Sequence, residues 1–407
     1  MSETVIPLAA ETETFYVPAF EVRIANQRLP RDVVRDVIEL TYEDNIEKVD
    51  SFSLTINNWD ATERRLKYTG PETAPAPNSD AGRLATLFDP GKELQIHLGY
   101  QGANQNLRLM MTGYITTLEP AFSESSAPTL TVRGLNVLDR FRRRQYTWAW
   151  QKPQDRTKDS EIARQLSRAP DDRAGRPGLD CEVRPVAEAE AAEESQAYVF
   201  MNNQYPILFL LERARRRGYS VFIVEETRNG QPHRYLHFGP SPSLRDVTYE
   251  LEWGRSLVQF RPTLTTTRQL KKVIVRGWNR RTNRPIEGVA ELSQNELNSD
   301  LHALARDAGR EEVITDQPVH SVQEARELAQ AILRRQLQDF VKATGTTVGL
   351  PDLRAGRAVV LKGLGYRFNG RYFVTQTSHT FNDSGYRTTF HARREQTRAA
   401  SAGAPAS

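Results

Sequence analysis

The stretch IELTY at residues 38–42 is matched by YELEW at residues 249–253, and both alternate apolar with polar side chains. A second match follows in the same order. Gly91-Lys92 opens a stretch that ends in LGY at residues 98–100, and Gly356-Arg357 opens one that ends in LGY at residues 364–366. The second pair lies farther apart along the chain than the first pair, by 54 positions. We therefore expect one β unit to occur twice, with an insertion of that size in the second copy.

The alternation of apolar and polar residues continues around these stretches. Phe20, Val22 and Ile24 alternate with charged residues, and residues 94–100 follow the same period, which is that of half-buried strands. Residues 107–119 and 129–135 are predicted to form a hairpin. Several short strands of this kind favour a small barrel or sandwich. The predicted fold class is α+β, mainly β, with two similar antiparallel β-barrel domains. A small α+β module lies between them, and the second barrel carries a helical insertion.

The predicted domain boundaries follow changes in this pattern. Residues 1–14 are predicted to be a flexible arm and residues 396–407 a disordered tail. The first barrel is expected at 15–150, the α+β module at 151–245 and the second barrel at 246–395. The insertion is placed at about 285–345. We expect the Pro-rich loop at 60–88 to occupy the equivalent place in the first barrel.

The clearest helix is predicted inside the insertion. Ser321 and Glu324 have the spacing of a capping box, and apolar residues recur from Val322 to Phe340 at helical spacing. In the α+β module, Asn203 is a candidate cap for a second helix. That helix would have Pro206 near its start and Gly218 at its end. Near the end of the chain, NDSG at residues 382–385 predicts a hairpin turn.

Composition excludes several classes of protein. The 407 residues carry 55 basic and 51 acidic side chains, a net charge of +4 that does not by itself indicate a nucleic-acid partner. Cys181 is the only cysteine, so an intramolecular disulfide is impossible. The first residues lack the basic and apolar regions of a signal peptide, and no run reaches the roughly 18 apolar residues of a spanning helix. We expect synthesis in the cytoplasm and no direct membrane insertion.

Catalytic motifs are absent from the sequence. It has no phosphate-binding P-loop, no Gly-x-Ser-x-Gly elbow and no pair of histidines in zinc-protease spacing. The Gly363-Leu364-Gly365 stretch is interpreted as a turn, and His379 as a surface or hydrogen-bonded residue. A glycosidase needs two acids on opposite sides of a bond, and we interpret the four candidate carboxylates as solvated instead: Asp89, Glu119, Glu124 and Asp383. The prediction is no enzyme, with no catalytic, cofactor-binding or metal-binding residue and no cofactor.

Two arginine clusters, at residues 140–144 and 213–217, leave alternatives open. The first is interleaved with Phe141, Tyr146 and Trp148, a pattern that can bind single-stranded nucleic acid by charge and stacking. The clusters also fit a solvated strand end and a helix C-terminus, or a protein interface rich in arginine and aromatic residues. We favour the solvated interpretation and expect no specific nucleic-acid partner.

Several stretches in a fixed order resemble the phage late control D family, the hub proteins of contractile phage tails and related contractile injection systems. The resemblance covers about residues 18–395 and rests on these segments: FEV (20–22), MTGY (111–114), LTVRG (130–134), VIVRG (273–277), LRAGR (353–357), GRYFV (370–374) and HTF (379–381). Each segment alone has low specificity, and the order of the segments carries the resemblance.

The resemblance implies a structural, non-enzymatic homotrimer whose chains each contribute two tail-tube-like barrels. Six barrels would then match a hexameric inner tube protein on one side, while the threefold symmetry matches a trimeric spike protein encoded separately. Other baseplate proteins would also bind, and the protein would be assembled into the baseplate of a phage tail or phage tail-like particle. The alternatives are a tube-forming subunit and a β-rich carbohydrate-active enzyme.

Overall fold

The computed structural model describes residues 6–7, 17–76, 78–101, 107–151, 157–168, 178–228, 231–240, 247–267, 269–280, 282–292, 303, 306–307, 309–338 and 340–394. The predicted flexible arm lies outside these residues except for Ile6–Pro7, and the predicted disordered tail lies outside them entirely. No described helix is long and apolar enough to span a bilayer.

The protein is mainly β. Its strands are β1 (Ile6–Pro7), β2 (Val17–Ile24), β3 (Gln27–Arg28), β4 (Val37–Asn45), β5 (Ser51–Asn57), β6 (Trp59–Asp60), β7 (Arg65–Leu66), β8 (Glu93–Gln101), β9 (Arg108–Ala121), β10 (Thr129–Asn136), β11 (Tyr146–Gln151), β12 (Glu182–Pro185), β13 (Tyr198–Gln204), β14 (Ser220–Arg228), β15 (Gln231–Gly239), β16 (Val247–Glu252), β17 (Leu257–Leu264), β18 (Leu270–Asn279), β19 (Arg284–Glu291), β20 (Arg310–Ile314), β21 (Val341–Val348), β22 (Ala358–Lys362), β23 (Gly370–Asn382) and β24 (Gly385–Arg393). The helices are α1 (Arg31–Arg35), α2 (Asp80–Ala85), α3 (Asp159–Ser167), α4 (Ala187–Ala192), α5 (Pro206–Arg217), α6 (Val322–Gln338) and α7 (Gly365–Phe368), with a 3-10 helix at Val137–Arg142.

Two β units with the same strand order make up most of one 14-stranded sheet. The first β unit consists of β2, β4, β5, β8, β9 and β10, and the second of β16, β17, β21, β22, β23 and β24. Numbered along the chain, the strands of each unit lie in the spatial order first, fourth, fifth, sixth, third, second. The units differ at one pairing, because β2 and β8 are antiparallel whereas β16 and β22 are parallel.

The start of the second sequence match identifies equivalent positions in these units. Its end does not, because LGY at residues 98–100 lies in β8 whereas β22 ends at Lys362, before LGY at residues 364–366. The amide of Gly91 donates to the carbonyl of Ile115 at 2.7 Å, and the amide of Gly356 donates to that of Val374 at 2.9 Å. Both glycines have positive φ, at 93° and 85°, a conformation that other residues adopt only with strain. The predicted equivalence of Gly91 and Gly356, at the start of the fourth strands, is therefore confirmed.

The match between residues 38–42 and 249–253 is wrong, because β4 is the second strand of its unit and β16 is the first. The true equivalent of β4 is β17, and two bulges identify the register. Ile38 is the extra residue in β4 against β5, and Val258 is the extra residue in β17 against β21. Ile38 is thus equivalent to Val258 and not to Tyr249.

The long insertion overlaps the expected residues 285–345 but begins before them, directly after β17. In the second unit it joins the second and third strands and contains β18, β19, β20 and α6. The Pro-rich loop of the first unit joins the third and fourth strands, β5 and β8, so the two connections are not equivalent. Ser321 caps α6 as predicted: its hydroxyl accepts from the Glu324 amide at 3.0 Å, and Glu324 accepts from the His320 amide at 2.7 Å.

The two predicted barrels are not closed in the described residues. The first and second strands are the two outermost strands of each unit, and closing a barrel would require them to pair. In the second unit the only link between these two ends is one bridge at Trp253–Leu257, and the first unit has none among the described residues. The physical reason is that β23 is long enough to pair with two strands along one side. Its first part pairs with β22, and its second part pairs with β4 of the first unit. The two units therefore form one continuous sheet.

Each part of the molecule has its own apolar core. The first unit packs around Leu40, Leu54 and Ile96, and the second around Leu251, Val374 and Phe390. The module between them packs α3 and α5 against the β12–β15–β14 sheet and the β11–β13 pair. Helix α5 starts at Pro206 and ends at Gly218 as predicted, but its N-cap is Tyr205, because Asn203 lies in β13.

Candidate functional site at the strand edges

The two β units join inside the chain along β4 and β23. We call this pairing, residues 40–45 with residues 376–381, the internal seam. It is antiparallel and sets Leu40 opposite Phe381 and Asn45 opposite Gln376. The amide of Ile46 donates to the carbonyl of Thr375 at 3.1 Å, which makes Asp44–Thr377 and Tyr42–His379 hydrogen-bonded pairs and Glu43–Ser378 a non-hydrogen-bonded pair.

One face of the internal seam is built around a buried ion pair. Nε of Arg354 donates to Oδ2 of Asp44 at 2.8 Å, and the two side chains are only 15% and 7% exposed. The same guanidinium donates to the hydroxyl of Tyr42 at 2.5 Å and to the carbonyl of Met110 at 2.7 Å. Thr377 donates to the other oxygen of Asp44. These bonds satisfy the buried charges and join the two units.

Two further carboxyl groups lie near this ion pair. Burial, followed by the charge of Asp44, raises the pKa of Asp50, which accepts from Asn136 at 2.6 Å. Burial also raises the pKa of Glu225 on β14. Glu225 accepts from the amide and the hydroxyl of Thr112 on β9, both at 2.9 Å. The middle module is therefore hydrogen-bonded to the first unit beside the internal seam.

His379 completes the face of the internal seam. Its Nε2 lies 3.0 Å from the carbonyl of Leu353 and can only donate there, which leaves Nδ1 to accept from the Tyr386 hydroxyl at 2.8 Å. Burial lowers the pKa of His379 to about 4, so the ring is neutral at neutral pH. Its ring stacks against Tyr42 with 5.9 Å between centroids. Of the two roles predicted for this histidine, the structure shows the hydrogen-bonded one.

An aromatic contact closes the end of the internal seam. Phe381 packs edge-on against Phe20 of β2, with 4.8 Å between ring centroids. Although Phe381 belongs to the second unit, its ring packs against the apolar core of the first unit. The internal seam thus combines a strand ladder, a buried ion pair and an inserted aromatic ring.

The strands equivalent to β4 and β23 are each left with one uncovered edge. In the described part of the chain, β17 pairs only with β21, apart from the single bridge at Leu257. β9 is equivalent to β23, and it pairs with β8 only as far as Tyr114, while β10 covers its other side to Ala121. Ile115 still bonds to Gly91 and Lys92 on this side, so residues 116–121 of β9 have a free side. These two edges, rather than a cleft, are the candidate functional site, and the strand order of the repeat is the signal that identifies them.

The four candidate carboxylates are dispersed. Glu119 forms an exposed ion pair with Arg133 at 2.9 Å. Glu124 and Asp383 lie in the turns of two different hairpins, and Asp89 precedes β8. The four share no hydrogen bond or ion pair among the described residues. Nor do those residues contain a group of three or more His, Cys, Asp or Glu side chains placed to hold a metal ion.

The arginine clusters serve partly in internal contacts. In the first, Arg140 lies over the ring of Tyr114 at 5.1 Å, and Arg143 pairs with Asp139 at 3.1 Å. In the second, Arg213 and Arg217 both pair with the buried Asp159 at the start of α3. Gly363 and Gly365 lie between β22 and β23 and both have positive φ, in agreement with the predicted turn.

The family model described as the Alg8 N-terminal domain matches residues 17–383. The chain belongs to this family. No curated protein matches the chain by sequence. Its fold, however, resembles solved structures over nearly its whole length.

A 43 kDa tail protein of prophage MuSo2 from Shewanella oneidensis matches with a TM-score of 0.62 at 13% identity, over 93% of this chain and 98% of that one. A tail protein from Neisseria meningitidis MC58 matches with the same TM-score at 12% identity, over 93% and 97%. The E. coli c3393 protein, a component of the type VI secretion system, matches with a TM-score of 0.54 at 11% identity, over 93% and 77%. At these identities the likeness shows a shared fold, that of phage tail and related secretion-system proteins.

Proposed function

We propose that this protein is the structural baseplate hub of a contractile injection system or contractile phage tail. It would be a non-enzymatic homotrimer that adapts a hexameric inner tube to a trimeric spike. The observation that carries the proposal is the repeat: two units of the same strand order are joined edge to edge, and the equivalent pair of edges is uncovered among the described residues.

The repeat favours a ring. Joining the second unit of one copy to the first unit of the next would repeat the step that the chain already makes internally. Such head-to-tail contacts form a ring when the rotation closes. Three copies would supply six β units, the number needed to face a hexameric tube, and would keep the threefold symmetry of a spike. The tail and secretion-system proteins of the same fold support this assignment.

The proposed partners are those that the resemblance to contractile-tail hub proteins implies. The inner tube protein would bind one end of the ring and a trimeric spike the other, with further baseplate proteins outside. The proposal keeps the predicted division into a first β domain at 15–150, a module at 151–245 and a second β domain at 246–395. The protein would be made in the cytoplasm and work within the assembled particle.

The number of chains in the complex tests the proposal. Native mass spectrometry of the hub released from assembled particles is expected to give three times the chain mass of 46.3 kDa. A tube-forming subunit would instead give six copies per ring and rings that stack into long polymers. Six copies, or a single chain in the assembled particle, would contradict the hub assignment.

A further inference from the structure

We propose that the uncovered edge of β9 in one copy pairs antiparallel with β17 of the next copy, in the register of the internal seam. We call this pairing, residues 117–122 with residues 260–265, the outer seam. The inference deepens the proposed function and rests on its ring. The occupant of each edge is a second copy of this chain, because the chain already pairs the equivalent strands with each other.

The bulges of the two units determine the register. Thr375 is the extra residue of β23 against β24, and Thr116 is the extra residue of β9 against β10, so these two threonines are equivalent. In the second strands, Val258 is equivalent to Ile38. Transferring the pairs of the internal seam by these two equivalences gives three matched pairs along the outer seam: Phe260 opposite Phe122, Leu264 opposite Leu118, and Thr263 opposite Glu119.

A threonine pair supports this alignment of the units. Thr55 and Thr131 are hydrogen-bonded across β5 and β10 at 3.2 Å. The equivalent strands β21 and β24 carry the same contact between Thr346 and Thr389 at 3.3 Å. The two units therefore repeat a side-chain contact as well as a strand order.

The side chains of the two edges match face by face in this register. Leu118 already packs on the core of the first unit, and Phe260 and Leu264 pack on that of the second. The opposite face would pair Glu119 with Thr263. A shift of one residue would reverse the faces of one strand and lose this match. Six apolar residues would lie on one face of the outer seam: Leu118, Pro120, Phe122, Phe260, Pro262 and Leu264.

Two exposed aromatic side chains occupy the places of the aromatic contact at the internal seam. Phe122 is equivalent to Phe381 but is 65% exposed. Phe20 lies opposite Leu98, and the equivalent of Leu98 is Gly363. Trp253 lies beside that glycine, with its Cβ 3.5 Å from the position a Gly363 Cβ would take, and is 59% exposed. The outer seam would bring Phe122 of one copy onto Trp253 of the next.

The edges also differ from the internal seam in a way that suits strands that are exposed to solvent before assembly. Pro120 and Pro262 are equivalent to His379 and Tyr42, so they would face each other at a hydrogen-bonding position of the ladder, where neither can donate. A proline lacks the amide donor and is tolerated where its nitrogen faces an open edge. The two prolines weaken uncontrolled pairing in the free chain. The outer seam would then depend mainly on its apolar face and the Phe122–Trp253 contact.

Disulfide trapping tests the outer seam. Non-hydrogen-bonded pairs bring Cβ atoms into the range that a disulfide needs. We would replace Cys181 by serine and introduce Glu119→Cys with Thr263→Cys. Mild oxidation of assembled particles is expected to give linked species of two and three chains on a non-reducing gel, and none larger.

The chain supplies a matched control at the internal seam. Glu43→Cys with Ser378→Cys occupies the equivalent pair, so it should form a disulfide within one chain and no linked chains. Thr117→Cys with Arg261→Cys is out of register by four positions and should keep its thiols free. If the first variant stays unlinked in particles that contain three chains per hub, the outer seam is wrong while the hub assignment stands. A number of chains other than three would overturn the assignment itself.

Alanine variants test the aromatic contact without relying on disulfide geometry. Phe122→Ala and Trp253→Ala should each raise the dissociation constant of the trimer at least tenfold in sedimentation experiments. The double variant should weaken it by less than the product of the two, because both remove the same contact. Tyr198→Ala, which removes an exposed aromatic side chain of β13, should have no effect. Equal behaviour of all three single variants would contradict the proposed contact.

Discussion

The internal seam and the two uncovered edges are built from equivalent strands but from different side chains. The internal seam buries an arginine, an aspartate and a histidine at its centre, at Arg354, Asp44 and His379. At the edges, leucine is equivalent to Asp44 and proline to His379. A pairing that forms once, during folding, can include charges that are never exposed to water again. Edges that pair with another chain are exposed to water before assembly. Because they carry apolar residues and proline, their pairing would bury no unpaired charge.

Placing a charge in the strand that joins the two units should destabilise the protein most. Val374 is fully buried in the core of the second unit. Val374→Asp should lower the free energy of unfolding by about 4 kcal/mol or more, because the carboxylate would have no partner there. Val258→Asp, the same change at an exposed valine of β17, serves as control in chemical denaturation. Similar midpoints for the two variants would show that the strand faces are misassigned.

Breaking the buried ion pair should have the next largest effect. Arg354→Met leaves Asp44 buried without its partner and should cost about 3–5 kcal/mol of stability. Arg133→Met, which removes an exposed ion pair with Glu119, should cost less than about 1 kcal/mol. Adding Asp44→Asn to Arg354→Met should restore part of the loss. If the double variant were no more stable than the single one, the ion pair would not be what holds this face of the internal seam.

A side chain at Gly113 should strain the first unit. A Cβ at this position would lie 2.5 Å from the carbonyl oxygen of Leu135 and 2.4 Å from Cε of Met111. The methionine can move, but the backbone oxygen cannot move without distorting β10. Gly113→Ala should therefore cost about 1–3 kcal/mol, and Gly113→Arg should cost more. Thermal melting of the two variants measures the difference, and wild-type melting of both would refute the close approach.

Acidification should destabilise the internal seam gradually. The pKa of His379 is lowered to about 4, so between pH 6.5 and about 4 the unfolded chain binds a proton that the folded chain does not. Stability from this histidine is present above that window and is lost as the pH falls, with a slope of about 1.4 kcal/mol per pH unit. His379→Gln should reduce the slope by one proton. An unchanged slope in this variant would contradict the neutral, buried ring.

The middle module offers a comparison for that measurement. Burial also lowers the pKa of His237 on β15 to about 4. His237→Gln should therefore reduce the pH slope of unfolding by a similar amount, although it lies away from the internal seam. The edges carry proline where His379 lies, so the outer seam should not share the internal seam's dependence on this titration.

The sequence predicts local features well and long-range pairing poorly. The alternation of Phe20, Val22 and Ile24, the Ser321–Glu324 cap and the hairpin at residues 382–385 depend on neighbouring residues, and the structure agrees. The pairing of β4 with β23 joins strands from opposite ends of the chain, and no local pattern encodes it. It also explains why the expected barrels are one continuous sheet.

The repeat is detectable in the sequence only where the backbone needs a particular residue. Gly91 and Gly356 match because both adopt positive φ at the same turn. The second strands of the two units, residues 38–45 and 258–265, share no identical residue at equivalent positions. One lies in the internal seam, whereas the other is an open edge. The similar stretch at residues 249–253 therefore gives a false match. The edges themselves become visible only from the strand order.

A cryo-EM map of the particle end, at a resolution that separates strands, would show the ring and the outer seam themselves. We predict three chains and six β units in one ring. Residues 117–122 of each chain would run antiparallel to residues 260–265 of the next, with Glu119 opposite Thr263 and Phe122 against Trp253. Six chains in the ring, or a different protein covering either edge, would contradict this prediction.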